Sequence, residues 1–104
     1  MKAKLAATLR YKTMYRAWER FGLSLEDEDI DAMVCDIQEH RSIFVQKISN
    51  RIVLHLVEVQ GAILPIVYDK FRGCPKTVLP DFVADAWLKR RNVRKELLRR
   101  NGGV

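Results

Sequence analysis

Ile52-Val53-Leu54-His55-Leu56-Val57-Glu58-Val59, then Gln60-Gly61, then Ala62-Ile63-Leu64-Pro65-Ile66-Val67-Tyr68 is the stretch that decides the fold. Two strand-length runs rich in β-branched residues flank a turn signal of only two residues. A link this short joins strands antiparallel, because parallel neighbours need a long crossover. Upstream, Ile43 to Ile48 has the same character and is set off by Ser49-Asn50. Downstream, Arg72-Gly73-Cys74-Pro75 reads as a turn before a short fourth strand from Lys76 to Leu79. Pro65 removes a backbone donor, so its strand is expected to be interrupted, bulged or at an edge there.

Outward from this meander the periodicity becomes helical. A first helix is expected from about Ala3 to Phe21, with Leu5, Leu9, Met14 or Tyr15, Trp18 and Phe21 as its apolar stripe. Gly22 is a natural C-cap, since it takes positive φ at little cost. Ser24 reads as the N-cap of a second helix, with Asp27 three residues on in a capping-box-like arrangement. Glu26, Asp27, Glu28 and Asp29 crowd its first turn, where the helix dipole favours negative charge, and Ile30, Met33, Val34 and Ile37 form its buried face. These acids thus have a sufficient structural explanation and would point into water, not into a catalytic cleft. Pro80-Asp81 opens a last helix whose Phe82, Val83, Ala86 and Trp87, with Val93 and Leu97 further on, are expected to face inward. The fold class is therefore α+β: two N-terminal helices, an antiparallel sheet of about four strands and a basic C-terminal helix. All 104 residues form one domain, with 1–88 as globular core and 89–104 as a basic helical tail whose Asn101-Gly102-Gly103 should fray.

The bulk properties exclude several classes. An apolar share of 48% is that of an ordinary soluble protein, and the longest apolar stretches are strand-sized, so no membrane span is expected. Lys2 and Lys4 precede no apolar core of signal-peptide length, which points to the cytoplasm. Cys35 and Cys74 do not form a CxxC pair and are read as two free thiols. His40 and His55 are not spaced to complete a ligand quartet, so no metal or other cofactor is expected. The net charge of +6 is unevenly spread. Residues 1–21 carry six bases and one acid, residues 24–39 carry seven acids and no base, and residues 81–104 carry seven bases and three acids. Segregation of this kind suits a surface that attracts polyanions on one side and repels them on another. Solvated helix faces that merely keep the protein soluble would also account for it.

Two distant segments carry a resemblance. The first is Tyr15-Arg16-Ala17-Trp18-Glu19-Arg20-Phe21-Gly22; the second is Val67-Tyr68-Asp69-Lys70 followed by Thr77-Val78-Leu79-Pro80. Over roughly residues 10–80 the chain resembles small bacterial and phage proteins related to the RelE, colicin and barnase-type ribonuclease toxins. Such proteins tend to carry His-x-x-x-Arg-x-x-Glu-Arg-Phe/Tyr-Gly on the first helix, a strand ending in Val-Tyr-Asp-Lys and a final strand like Ile-Val-Thr-x-Leu-Pro. The resemblance implies an RNA-directed protein and a metal-independent endoribonuclease where the chemistry is complete. One departure bears on the chemistry. The position of the family's histidine is Lys12, and a free lysine near pKa of about 10.4 is a poor base at neutrality.

Transesterification of RNA needs an activated 2′-hydroxyl, charge stabilisation on the phosphorane and a proton for the leaving oxygen. On this reading Arg16 and Arg20 hold phosphate, Lys12 or His55 is the base or acid, and Tyr68 or Thr77 supplies hydrogen bonds. Lys70 and the basic run Lys89, Arg90, Arg91, Arg94 and Lys95 would add phosphate contacts, largely independent of sequence. Each residue also has a plainer reading. Lys12, Arg16 and Arg20 line one edge of the first helix and fit a solvated face. His55 lies in an apolar strand as a core histidine would, Tyr68 fits a sheet edge, and Asp69-Lys70 fits a turn pair. Arg20 is close in sequence to the acidic second helix. Trp18 and Trp87 fall on apolar stripes and are expected in the core rather than as stacking platforms. The expected partner is RNA or another nucleic acid. The competing reading is a non-catalytic phage or bacterial regulator that binds a host protein through its charged helices.

Overall fold

A computed structural model describes residues 2–90, with side chains from residue 7 onward. The chain runs α1 (Lys2–Phe21), α2 (Asp27–Gln38), β1 (Ile43–Lys47), β2 (Ile52–Val59), β3 (Ala62–Asp69) and β4 (Cys74–Val78). Residues 81–90 are helical and form α3 as far as the description extends. The fold is α+β, with a four-stranded antiparallel sheet in the order β1-β2-β3-β4. Arg91, Val93, Arg94, Lys95 and Leu97, with the expected fraying at 101–103, lie outside the described residues.

The meander forms where the two-residue turn demanded it. Val59 pairs with Ala62 across the turn, and Gln60 and Gly61 both have positive φ, 51° and 80°. That combination is the twist-matched hairpin turn, in which glycine bears the second left-handed position without strain. The proline expectation resolves locally. β3 is internal to the sheet, and Pro65 pairs in register with Leu56. Its carbonyl accepts from the Leu79 amide at 2.9 Å, just beyond the end of β4. In an antiparallel ladder a residue's carbonyl and amide point to the same side. The missing donor therefore faces Leu79, so the return bond of that pair is absent and the β3–β4 ladder ends there. The irregularity falls instead between Val67 and Tyr68, opposite β4.

α1 and α2 pack on one face of the sheet. Ala17, Ile30, Met33 and Ile37 meet Val53, Val57, Leu64, Ile66, Tyr68 and Val78 in one buried cluster. Each fully buried large side chain there stabilises the fold by about 1.5–3 kcal/mol. Alternation turns Leu54, Leu56 and Val67 to the opposite face, where they too are buried. α2 opens later than expected. Its N-cap is Glu26, not Ser24, and the Asp29 carboxylate accepts the Glu26 amide at 2.8 Å. Leu25 explains the shift: it is buried in the core, so the chain stays extended through it before the helix begins.

The apolar stripe of α1 is corrected in part. Leu9 is buried and Met14 and Phe21 pack against the core as expected, while the Leu5 side chain lies outside those described. Buried Thr13 and Ala17 take the face along β4 in place of Tyr15 and Trp18. Tyr15 and Trp18 point to solvent. Small residues at positions 13 and 17 let the helix backbone approach the sheet edge closely, and Thr13 satisfies its hydroxyl on the Leu9 carbonyl at 2.9 Å. On α3 the buried residue is Ala84, whereas Phe82 and Ala86 are exposed and Trp87 is half-buried.

Candidate nucleic-acid interface

The residues proposed for catalysis from sequence occupy separate places. His55 and Tyr68 lie on the helix-facing side of the sheet, as diagonal neighbours on β2 and β3. Sheet geometry separates the Cβ atoms of such a pair by about 7–8 Å. Each is engaged with the segment that ends α2. The Tyr68 hydroxyl accepts from Gln38 Nε2 at 3.1 Å, and His55 Nδ1 shares a hydrogen bond with Ser42 Oγ at 2.8 Å. Phe44 meets the His55 ring edge-on, with centroids 5.5 Å apart. Burial pushes the Tyr68 phenol up from its ordinary value and, with the charge of His40, pushes His55 down. Tyr68 is thus a neutral hydroxyl and His55 a neutral ring at pH 7. Thr77 pairs with Val67, so it projects from the other face of the sheet. Lys12 is exposed on α1.

The arginines of α1 are similarly occupied. Arg16 Nη1 donates to Glu19 Oε1 at 2.6 Å, and that bond holds the Glu19 carboxyl below its usual range. Arg20 Nη1 donates to the Val78 carbonyl at 2.6 Å, tying the last turn of α1 to the end of β4. This is a structural bond, and it leaves Arg20 half-buried. Lys70 is exposed in the β3–β4 turn, while Lys89 and Arg90 are exposed on α3, the Arg90 guanidinium lying 5.0 Å from the Trp87 ring centroid. Arg91, Arg94 and Lys95 belong to the residues outside the description. Lys12, Arg16, Arg20, His55, Tyr68 and Thr77 therefore do not share one cleft.

Asp69, read from sequence as half of a turn pair, is a buried hub. Its carboxylate accepts from Arg51 at 2.8 and 3.3 Å, and from the amides of Phe71 and Arg72 at 3.0 and 3.1 Å. Burial works against its charge, but these donors outweigh it and hold the carboxyl below the ordinary range. An aspartate at the mouth of a turn caps the backbone beyond it. Asp69-Lys70-Phe71-Arg72 carries that signal.

Tyr15 and Trp18, which the sequence reading placed on the buried stripe, join Tyr11 in the most conspicuous surface. Tyr11, Tyr15 and Trp18 are 73%, 57% and 61% exposed. At helical spacing they fall on one side of α1, opposite Leu9, Thr13 and Ala17. The Tyr15 hydroxyl hydrogen-bonds Glu19, and the Arg16 guanidinium lies 5.8 Å from the Tyr15 ring centroid, so both neighbours steady that ring. One flank of the stripe carries Lys12 and the Arg16–Glu19 ion pair. The other slopes through Met14 into a shallow groove against Glu26, Asp27 and Glu28 at the start of α2. Across that groove Arg10 holds the helices together, reaching Asp27 at 3.4 Å and Asp31 at 3.0 Å. Their spacing at 11, 15 and 18, set against Leu9, Thr13 and Ala17, is the pattern that would have separated an outward aromatic face from a close-packed inward one.

No described helix is long and apolar enough to cross a membrane. Cys35 and Cys74 are both free thiols, and burial pushes the Cys74 thiol up. Compared with protein-family models, with curated proteins and with solved structures, the chain matches none.

Proposed function

We propose that this protein binds RNA or another nucleic acid and holds it without cutting it. The observation that carries this reading is where the charge lies. Residues 5–90 contain twelve bases and twelve acids, so the whole excess of +6 sits on Lys2, Lys4 and the segment after residue 90. A neutral body with cationic ends attracts a polyanion without needing a cleft. The resemblance of the two motif blocks to ribonuclease toxins supports the same substrate class. Cleavage has less support. His55 and Tyr68 are spent on Ser42 and Gln38, Thr77 points to the other face of the sheet, and Lys12 stands alone on α1. His55 and Tyr68 are diagonal neighbours on one face of the sheet, but both hydrogen-bond within the fold and neither Lys12 nor Thr77 joins them, so no acid–base set is assembled around one phosphate.

The competing reading, a regulator that docks a host protein through its charged helices, meets an obstacle at the acidic one. Asp27 and Asp31 are paired with Arg10, and Asp36 and Glu39 with Arg41, so those carboxylates are already engaged. The test is incubation of the purified full chain with total RNA at two salt concentrations. Expected are salt-sensitive retention and RNA of unchanged length. Absence of retention at low salt would remove the reading, and new RNA ends that depend on His55 or Tyr68 would restore catalysis.

A further inference from the structure

The nucleic-acid reading says nothing of the form of the strand, and the outward face of α1 does. Three aromatic rings at positions 11, 15 and 18 lie on one side of the helix and are more than half exposed. They span about 10 Å of helix axis at a rise of ~1.5 Å per residue. Leaving three large rings in water on one face costs hydrophobic stabilisation that the core would otherwise have gained. No packing in the described residues explains them.

We infer that this face is a stacking platform for a single-stranded polynucleotide. Every base offers a π-face, so aromatic platforms bind strands with little regard to sequence, and cations beside the rings take the phosphates. The flanks of the stripe set the direction of the backbone. Lys12, with the Arg16–Glu19 ion pair beside it, borders the stripe on one side, and Glu26, Glu28 and the Asp27–Arg10 pair border the groove on the other. The sugar-phosphate chain follows the Lys12 flank, because Glu26 and Glu28 on the opposite flank repel it. At a stacked rise of ~3.4 Å per nucleotide the platform accommodates about three bases. Tyr15 is the anchored ring, steadied by Glu19 and Arg16, so little side-chain freedom is lost when a base lands on it. A duplex presents no unstacked base to these rings and gains only the phosphate contacts. The Lys12 cation beside the rings favours a polyanion over a second copy of the chain, which carries the same cation at the same place.

This inference rests on the nucleic-acid reading, and the experiment separates the two. Fluorescence anisotropy compares a short labelled oligouridylate, an oligothymidylate and an RNA duplex of the same length, with the full chain and three variants. Both single strands are expected to bind at least about tenfold more tightly than the duplex, because stacking does not depend on the sugar. Trp18→Ala and Tyr15→Ala should each weaken single-strand binding by about five- to a hundredfold and leave duplex binding unchanged. Lys12→Ala should weaken both forms and lower the single-strand salt slope by about 0.7. All three side chains face solvent, so the variants should melt with the parent protein. Equal affinity for duplex and single strands, unaltered by the ring substitutions, would overturn the platform and leave the nucleic-acid reading standing. Ring variants that alter the sedimenting mass but not the affinity would overturn it in favour of a second copy. No salt-sensitive binding to any of the three probes would overturn both.

Discussion

Two regions of this molecule treat polar and aromatic groups in opposite ways. At the β3–β4 turn a buried carboxylate, Asp69, is met by two arginines and two backbone amides, while the Phe71 ring beside it is exposed, with the Arg51 guanidinium 5.4 Å from its centroid. The carboxylate there has an internal reason to be where it is. On α1, Tyr11, Tyr15 and Trp18 stand in water, and the body of the protein is held by Leu9, Thr13 and Ala17 behind them. The contrast separates residues that the fold requires from residues that it merely displays. A charged residue on the page is no guide by itself, since Arg16, Arg20 and Asp69 all have partners within the chain.

The sharpest way to break the comparison is at the hub. Asp69→Ala should cost about 2–4 kcal/mol of stability, since it strips a buried carboxylate from Arg51 and leaves two turn amides without their acceptor. Urea unfolding measures this, and the affinity of the folded fraction for an oligonucleotide should not change. Trp18→Ala is the converse. Its stability should stay within about 0.5 kcal/mol of the parent, while single-strand affinity falls by about 1–3 kcal/mol. A large loss of stability there would mean that the ring is structural after all. Tyr68→Phe removes one hydrogen bond to Gln38 and should cost about 1 kcal/mol, with no effect on RNA binding. The smallest effect belongs to His55, whose pKa is depressed below the ordinary 6.5 by burial and by His40. Below pH 6.5 the unfolded chain binds the proton more readily than the folded one, so stability should fall as pH drops through that value. His55→Gln should flatten this part of the stability–pH curve; identical slopes in both proteins would refute it.

The meander was legible because hairpin turns leave a local signature: Gln60-Gly61 sets the β2–β3 register within two residues. The helices were legible in extent but not in rotation. A stripe of large apolar residues ordinarily marks the buried face, and Tyr15 and Trp18 drew the expected face of α1 toward themselves. What decided the rotation is the close approach of the helix to β4, which favours Thr13 and Ala17, and that contact is distant in sequence. Leu25 shifted the start of α2 for the same reason, because burial of one leucine outweighed a good cap at Ser24. The candidate site was legible only in part. Lys12 and Arg16 do flank the exposed face, and His55 and Tyr68 are neighbours on the sheet, whereas Thr77 lies on its other face.

The most direct test is to map where a short oligouridylate touches the protein, by amide and aromatic chemical-shift changes on titration with the full chain. The platform predicts that the largest changes fall on Tyr11, Lys12, Tyr15, Arg16 and Trp18, with the Asp69 turn silent. Changes concentrated around His55, Tyr68 and Ser42, with α1 undisturbed, would contradict it.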